Sequence, residues 1–189
     1  MLRSLLAHAD DDPQTAALVR DGGEAFVSQS LRPFLLAALL DRDPDRPAVV
    51  VAGDDRAARE LASALSTWLE PRPVRYYPSR GVAYESHLTP PPHLVGLRIA
   101  ALDAVLEEPD PAHSSPAAGS DGAPVIVVSA VALSEKVPER ALRPHGFVLR
   151  VGELMDLEET ALELVAAGYE RVDQVEDRGQ FAIRGGLLD

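Results

Sequence analysis
Several groups of side chains in this sequence have chemistry to offer. Glu85 and His87, with His93 further on, are metal-binding residue types, and a metal site needs three or four such donors to converge. The run Tyr84-Glu85-Ser86-His87 is not an established ligand spacing, and it reads as well as a polar loop packed over a sheet edge. Ser79 and Ser86 beside His87 offer a nucleophile and its base. Neither serine, however, sits in the G-x-S-x-G elbow that presents a hydrolase nucleophile. Arg75, Tyr76, Tyr77 and Arg80 mix cations with aromatic rings, as nucleic-acid stacking surfaces do; a strand end with half-buried tyrosines has the same composition. The segment Gly168–Asp189 holds Arg171, Arg178 and Arg184. An arginine held outward on a rigid strand can make bidentate contacts to a partner's carboxylates; on a free surface it is simply solvated.

What the sequence lacks excludes more. There is no cysteine, so disulfides, thiolate metal sites and cysteine nucleophiles are ruled out. Lys136 is the only lysine, and its setting, Ser134-Glu135-Lys136-Val137-Pro138, has no glycine. Neither G-x-x-x-x-G-K-[ST] nor G-x-G-x-x-G occurs, and the loop Ser28–Pro33 offers no backbone nest for phosphates. Gly22-Gly23 and Gly185-Gly186 read as turn glycines. Eighteen Lys+Arg against thirty Asp+Glu give a net charge of −12, which disfavours docking on nucleic-acid phosphates or an anionic membrane. The N-terminal apolar run is too short for a signal-peptide core and meets Asp10-Asp11-Asp12, and runs such as Leu35–Leu40 fall far short of a membrane span. A cytoplasmic protein without membrane contact is expected.

The elements that would position these residues alternate between helix and strand. With 189 residues, 46% of them apolar, the chain can bury one core, or one and a smaller second. Helices are expected at Thr15–Arg20, Leu31–Leu40 with Pro33 in its first turn, Arg56–Leu69 capped by Asp54 or Asp55, and His93–Leu106 with Leu94, Leu97, Ala101 and Leu102 inward. Strands are expected at Ala25–Val27, Pro73–Tyr77, and in two β-branched runs, Pro47–Ala52 and Val125–Ser129, that read as buried on both faces. Glu107–Pro124, rich in Pro, Ser, Gly and acids, reads as a surface loop. This order predicts an α/β domain, a parallel sheet flanked by helices, over residues 1–137. Over 138–189 the pattern changes to a partial α+β unit: a strand at Phe147–Val151, a helix at Leu157–Ala167 and an alternating strand at Gln180–Arg184. In that last strand Gln180, Ala182 and Arg184 share the outer face, while Phe181 and Ile183 turn to the core.

Tyr76-Tyr77-Pro78-Ser79-Arg80-Gly81-Val82-Ala83-Tyr84-Glu85-Ser86-His87, Pro90-Pro91-Pro92, Arg98, Ser129-Ala130-Val131-Ala132-Leu133 and the Arg178–Asp189 run RGQFAIRGGLLD together resemble the N-terminal region of bacterial transcription-repair coupling factors (Mfd). The resemblance extends in order from about Phe26 to Asp189. The same region is related to UvrB, but a UvrB would carry a P-loop near residues 28–34 and a long tyrosine-rich hairpin after Tyr76-Tyr77, and neither is here. The resemblance implies a degenerate P-loop (RecA-like) domain, similar to UvrB domain 1a, that has lost ATP binding. It also implies a second, UvrB interaction-like domain that recruits UvrA in nucleotide excision repair. By the same resemblance this chain is not itself an enzyme and takes no cofactor. ATP and Mg serve motor domains further along the family's chain, which also bring RNA polymerase and DNA. The UvrA-binding arginines correspond to Arg171 and Arg184, with Arg178 loosely equivalent, and a third arginine of UvrB falls at Ala182. The family's second domain would continue past Asp189, which implies a fragment or truncated product. A UvrB-type subunit and an unrelated α/β hydrolytic enzyme are the alternatives.

Overall fold
A computed structural model describes residues 2–83, 87–106, 122–137, 139, 151–152 and 154–189. The chain divides into two compact units, one holding Met1–Pro90 and Leu94–Glu135, the other Pro91–His93 and Lys136–Asp189.

In the first unit, a 3-10 helix (Arg3–Asp10) and helices α1 (Pro13–Asp21) and α2 (Arg32–Asp41) precede the sheet. Asp12 caps α1, and Pro33 lies in the first turn of α2, where its missing N–H costs nothing. Strands β1 (Ala48–Ala52), β2 (Val74–Tyr77) and β3 (Val125–Ser129) form a parallel sheet in the order β1-β3-β2. Parallel neighbours require crossovers, and α3 (Asp55–Leu69) and α4 (Pro92–Leu106) supply them. A short α5 (Ala130–Ser134) follows β3 directly. Asp54 caps α3 by accepting from Ala57 N at 2.7 Å. Ala58, Ala62, Leu65 and Leu69 recur at helical spacing, and that face is buried with Val125, Val127 and Ala37 on one side of the sheet. Phe34 meets Trp68 edge-to-face at 5.4 Å in the same layer. Across the sheet, Tyr77, Ile126 and Val128 pack with Ala101 and Ala132.

Three expectations for this unit change. Ala25–Val27 forms no strand: the segment pairs with nothing in the sheet, and Phe26 is fully exposed. β1 is not buried on both faces. Every residue of β3 is buried, but β1 alternates, with Val49 62% and Val51 52% exposed, because it lies at the edge and β3 takes the centre. On α4 Ala101 and Leu102 face the core as expected, but they are joined there by Arg98, while Leu97 is exposed.

The second unit contains α6 (Leu157–Ala166), capped by Asp156, whose carboxylate accepts from Glu158 N and Glu159 N. Two-residue strands follow: β4 (Glu170–Arg171) pairs in parallel with β5 (Gln180–Phe181), and β6 (Ile183–Arg184) pairs antiparallel with β7 (Leu187–Leu188). Gly185-Gly186 turns the β6–β7 hairpin, and Gly185 has φ +63°, which a residue without Cβ adopts without strain. The expected continuous strand Gln180–Arg184 is therefore broken. Ala182 lies between the two pieces, exchanges backbone hydrogen bonds with Asp189 and is fully buried, so it does not share the outer face with Arg184. Phe181 is 2% exposed. Of the expected strand Phe147–Val151, residues 147–150 lie outside the described residues, and Val151 is in a turn. The expected loop Glu107–Pro124 lies mostly outside them as well.

Candidate functional site
In open α/β sheets ligands bind in the crevice at the carboxyl ends of the strands. Here one carboxylate fills that place. Asp55 follows the end of β1, Ser79 the end of β2, and Ser129 ends β3. Asp55 Oδ1 accepts from Ser79 N at 3.0 Å and from Ser129 Oγ at 2.8 Å, and its Oδ2 accepts from Ser79 Oγ. Tyr76 donates its hydroxyl to the Asp55 carbonyl at 3.0 Å. Burial raises the Asp55 carboxyl, but the hydrogen bonds from Ser79, Ser129 and Tyr76 outweigh it and hold the group below its ordinary value. Burial, and then the nearby Asp55 charge, push the Tyr76 phenol up to about 12.

The family-like motif around Tyr77 serves a second cluster. Arg98 Nη1 reaches Glu135 Oε2 at 2.6 Å and the Pro78 carbonyl at 2.8 Å, and its guanidinium lies 4.3 Å from the centre of the Tyr77 ring. Glu135 in turn accepts from Arg80 N through both carboxylate oxygens. The side chains of Arg98 and Glu135 are only 10% and 13% exposed. Both tyrosines are thus committed, Tyr76 to Asp55 and Tyr77 to Arg98, so Arg75, Tyr76, Tyr77 and Arg80 do not form a stacking surface. Sequence reasoning missed the roles of Asp55, Arg98 and Glu135.

The hydrolytic and metal groupings do not assemble among the described residues. Ser79 donates its hydroxyl hydrogen bond to Asp55, His87 and His93 are exposed, and Tyr84, Glu85 and Ser86 lie outside the described residues. No group of three or more metal-ligating side chains occurs among the described residues. Lys136 is exposed. No helix there is long and apolar enough to cross a membrane.

Arg171, Arg178 and Arg184 of the second unit are all exposed. Arg171 is in β4, opposite Phe181 of β5, and its Nη1 lies 3.8 Å from Glu158 Oε2 on the first turn of α6. Arg178 is in the loop between β4 and β5. Arg184 is in β6, with its Nη2 2.5 Å from Asp189 Oδ2. The buried Phe181 and Ala182 anchor the strands that carry Arg171 and Arg184.

This segment of short strands and outward arginines falls within residues 147–189, which match the family model described as the UvrB interaction domain. The wider chain is similar to transcription-repair-coupling factors. That of Mycobacterium tuberculosis (strain CDC 1551 / Oshkosh) is 33% identical over 164 residues, covering 87% of this chain and 13% of the relative. Those of Bacillus subtilis (strain 168) and Staphylococcus aureus (strain NCTC 8325 / PS 47) are 25% and 27% identical, over 87% and 70% of this chain and 13% and 10% of theirs. The chain is therefore similar to one stretch of the transcription-repair-coupling factors and spans about an eighth of their length.

Proposed function
We propose that the chain is a UvrA-recruiting module of transcription-coupled nucleotide excision repair, and that it works by docking rather than by catalysis. One observation carries this reading. The segment matched to the UvrB interaction domain is the one that holds Arg171, Arg178 and Arg184 outward around a buried Phe181. Arg171 and Arg184 are the residues we assign to the UvrA contact, with Arg178 beside them. Ala182, where UvrB has a third arginine, is buried and contributes no contact of its own.

The first unit we read as a degenerate relative of the RecA-like nucleotide-binding domains. Its sheet order and crossovers support this, and the Asp55 carboxylate stands where such a fold would receive phosphates. A phosphate there would meet a negative charge and hydroxyl donors already engaged. In this reading ATP hydrolysis, RNA polymerase contact and DNA contact belong to other parts of the family's longer chains.

The test is calorimetric titration of the chain with UvrA. Truncating a charge-paired arginine at an interface centre costs about 2 kcal/mol, so Arg184→Ala is expected to weaken binding roughly thirtyfold. Its melting temperature should stay within a degree or two of the wild type, because the side chain is exposed. Wild-type affinity in Arg184→Ala would refute the assignment.

A further inference from the structure
Both arginines assigned to UvrA already have a carboxylate of their own chain beside them. Arg171 faces Glu158 at 3.8 Å, and Arg184 faces Asp189 at 2.5 Å. The partners come from different elements: Glu158 from the first turn of α6, Asp189 from the residue that closes the β6–β7 hairpin against Ala182. Each pair is exposed, with side chains between 44% and 77% accessible. Exposed pairs of this kind hold weakly, so they can exchange partners rather than lock.

We propose that Glu158 and Asp189 are internal competitors for the docking arginines, which a partner surface bearing carboxylates must displace. This rests on the assignment of Arg171 and Arg184 to UvrA, and it adds the chemistry of the opposing surface and a control on affinity. A guanidinium presents five donors in a fixed fork, and a carboxylate of its own chain on one bidentate face leaves a partner less of it to engage. At Arg184 the 2.5 Å contact to Asp189 engages Nη2, the nitrogen shared by both bidentate faces, so a partner that uses both faces has to break it. At Arg171 the longer 3.8 Å pair offers less resistance. Asp189 is therefore the stronger competitor. The competition also works against promiscuity: an isolated anion gains little over the internal carboxylate, whereas a surface that meets both arginines together displaces both.

The measurement is UvrA binding by calorimetry at low salt, for the wild type, Glu158→Gln, Asp189→Asn, Arg171→Ala and the double variant Glu158→Gln/Arg171→Ala. Glu159→Gln on the same helix turn, which pairs with no arginine among the described residues, controls for simple loss of negative charge. Glu158→Gln and Asp189→Asn should tighten binding by about two- to fivefold each, with the larger gain from Asp189→Asn. The gain from Glu158→Gln should vanish in the Arg171→Ala background. If it persists there, or if Glu159→Gln gives as much, the effect is one of net charge and the competition is refuted while the docking reading stands. The same holds if Arg171→Ala weakens binding but neither carboxylate variant strengthens it. If wild-type chain does not bind UvrA, or Arg171→Ala and Arg184→Ala both bind like wild type, the docking reading fails and takes this proposal with it. Melting curves for each variant exclude unfolding as the cause.

Discussion

Asp55 and Arg98 are charges drawn partly out of water, and each is stabilised by donors or acceptors placed by distant parts of the chain. For Asp55 the folded carboxyl lies below its unfolded value of about 3.9. Its contribution to stability is then complete above the unfolded value and is lost as pH falls through the folded one. Asp55→Asn should lower the melting temperature at pH 7, and the gap to the wild type should narrow below about pH 4. A gap that stays constant with pH would show that the carboxylate charge is not what binds the three strand ends. Arg98 was not legible as a buried residue. Its type argues for exposure, and its partner Glu135 lies 37 positions along the chain, beyond any local spacing rule. Tyr77 offers a second residue-scale test, since its buried hydroxyl has no hydrogen-bond partner among the described residues. Tyr77→Phe keeps the ring under Arg98 and removes an unsatisfied group, so thermal stability should hold or rise.

At the scale of elements, β1 and β3 have nearly interchangeable sequences, AVVVA and VIVVS, and opposite environments. Apolar β-branched runs announce a strand, and both strands were legible, as were α3 with its Asp54 cap and α6 with its helical spacing. Which strand lies at the edge depends on strand order, and order is set by where the crossover helices land, which hydrophobic period does not encode. The same limit explains Ala25–Val27: Phe26 and Val27 have strand propensity but no strand beside them to pair with. It also explains the break at Ala182. Alternation assumes one flat strand, whereas Ala182 already pairs with Asp189 in the β6–β7 ladder while Phe181 just before it belongs to β5. The contrast between β1 and β3 is measurable with one substitution type. Val127→Thr places a hydroxyl in the fully buried centre of the sheet and should cost about 1–3 kcal/mol. Val49→Thr, on the exposed face of the edge strand, should change stability by less than about 0.5 kcal/mol. Equal losses from the two would mean that β1 is covered on both faces, as its sequence alone suggests.

At the scale of the whole chain, two units with separate buried residues make separate demands on stability. Leu65, Leu69, Val125 and Val127 hold the first, and Phe181 with Ala161 and Ala182 is buried in the second. Among its described residues the second is built on one ten-residue helix and four two-residue strands, and such short pairings depend on packing rather than on their own hydrogen bonds. Phe181→Ala empties its largest buried side chain, a change that typically costs about 3–5 kcal/mol and exceeds what a unit of this size can spare. Calorimetric melting of Phe181→Ala should therefore lose the transition of the second unit and leave that of the first in place, whereas Leu65→Ala should lower only the first. UvrA binding should disappear in Phe181→Ala because the strands carrying Arg171 and Arg184 are no longer held, and it should survive Leu65→Ala. Arg184→Ala should weaken binding only about thirtyfold and leave both transitions intact, so the pair would separate a residue that makes the surface from one that makes the proposed contact. If Phe181→Ala and Leu65→Ala each shift a single common transition, the two cores unfold as one, and docking cannot be assigned to the second unit by melting alone.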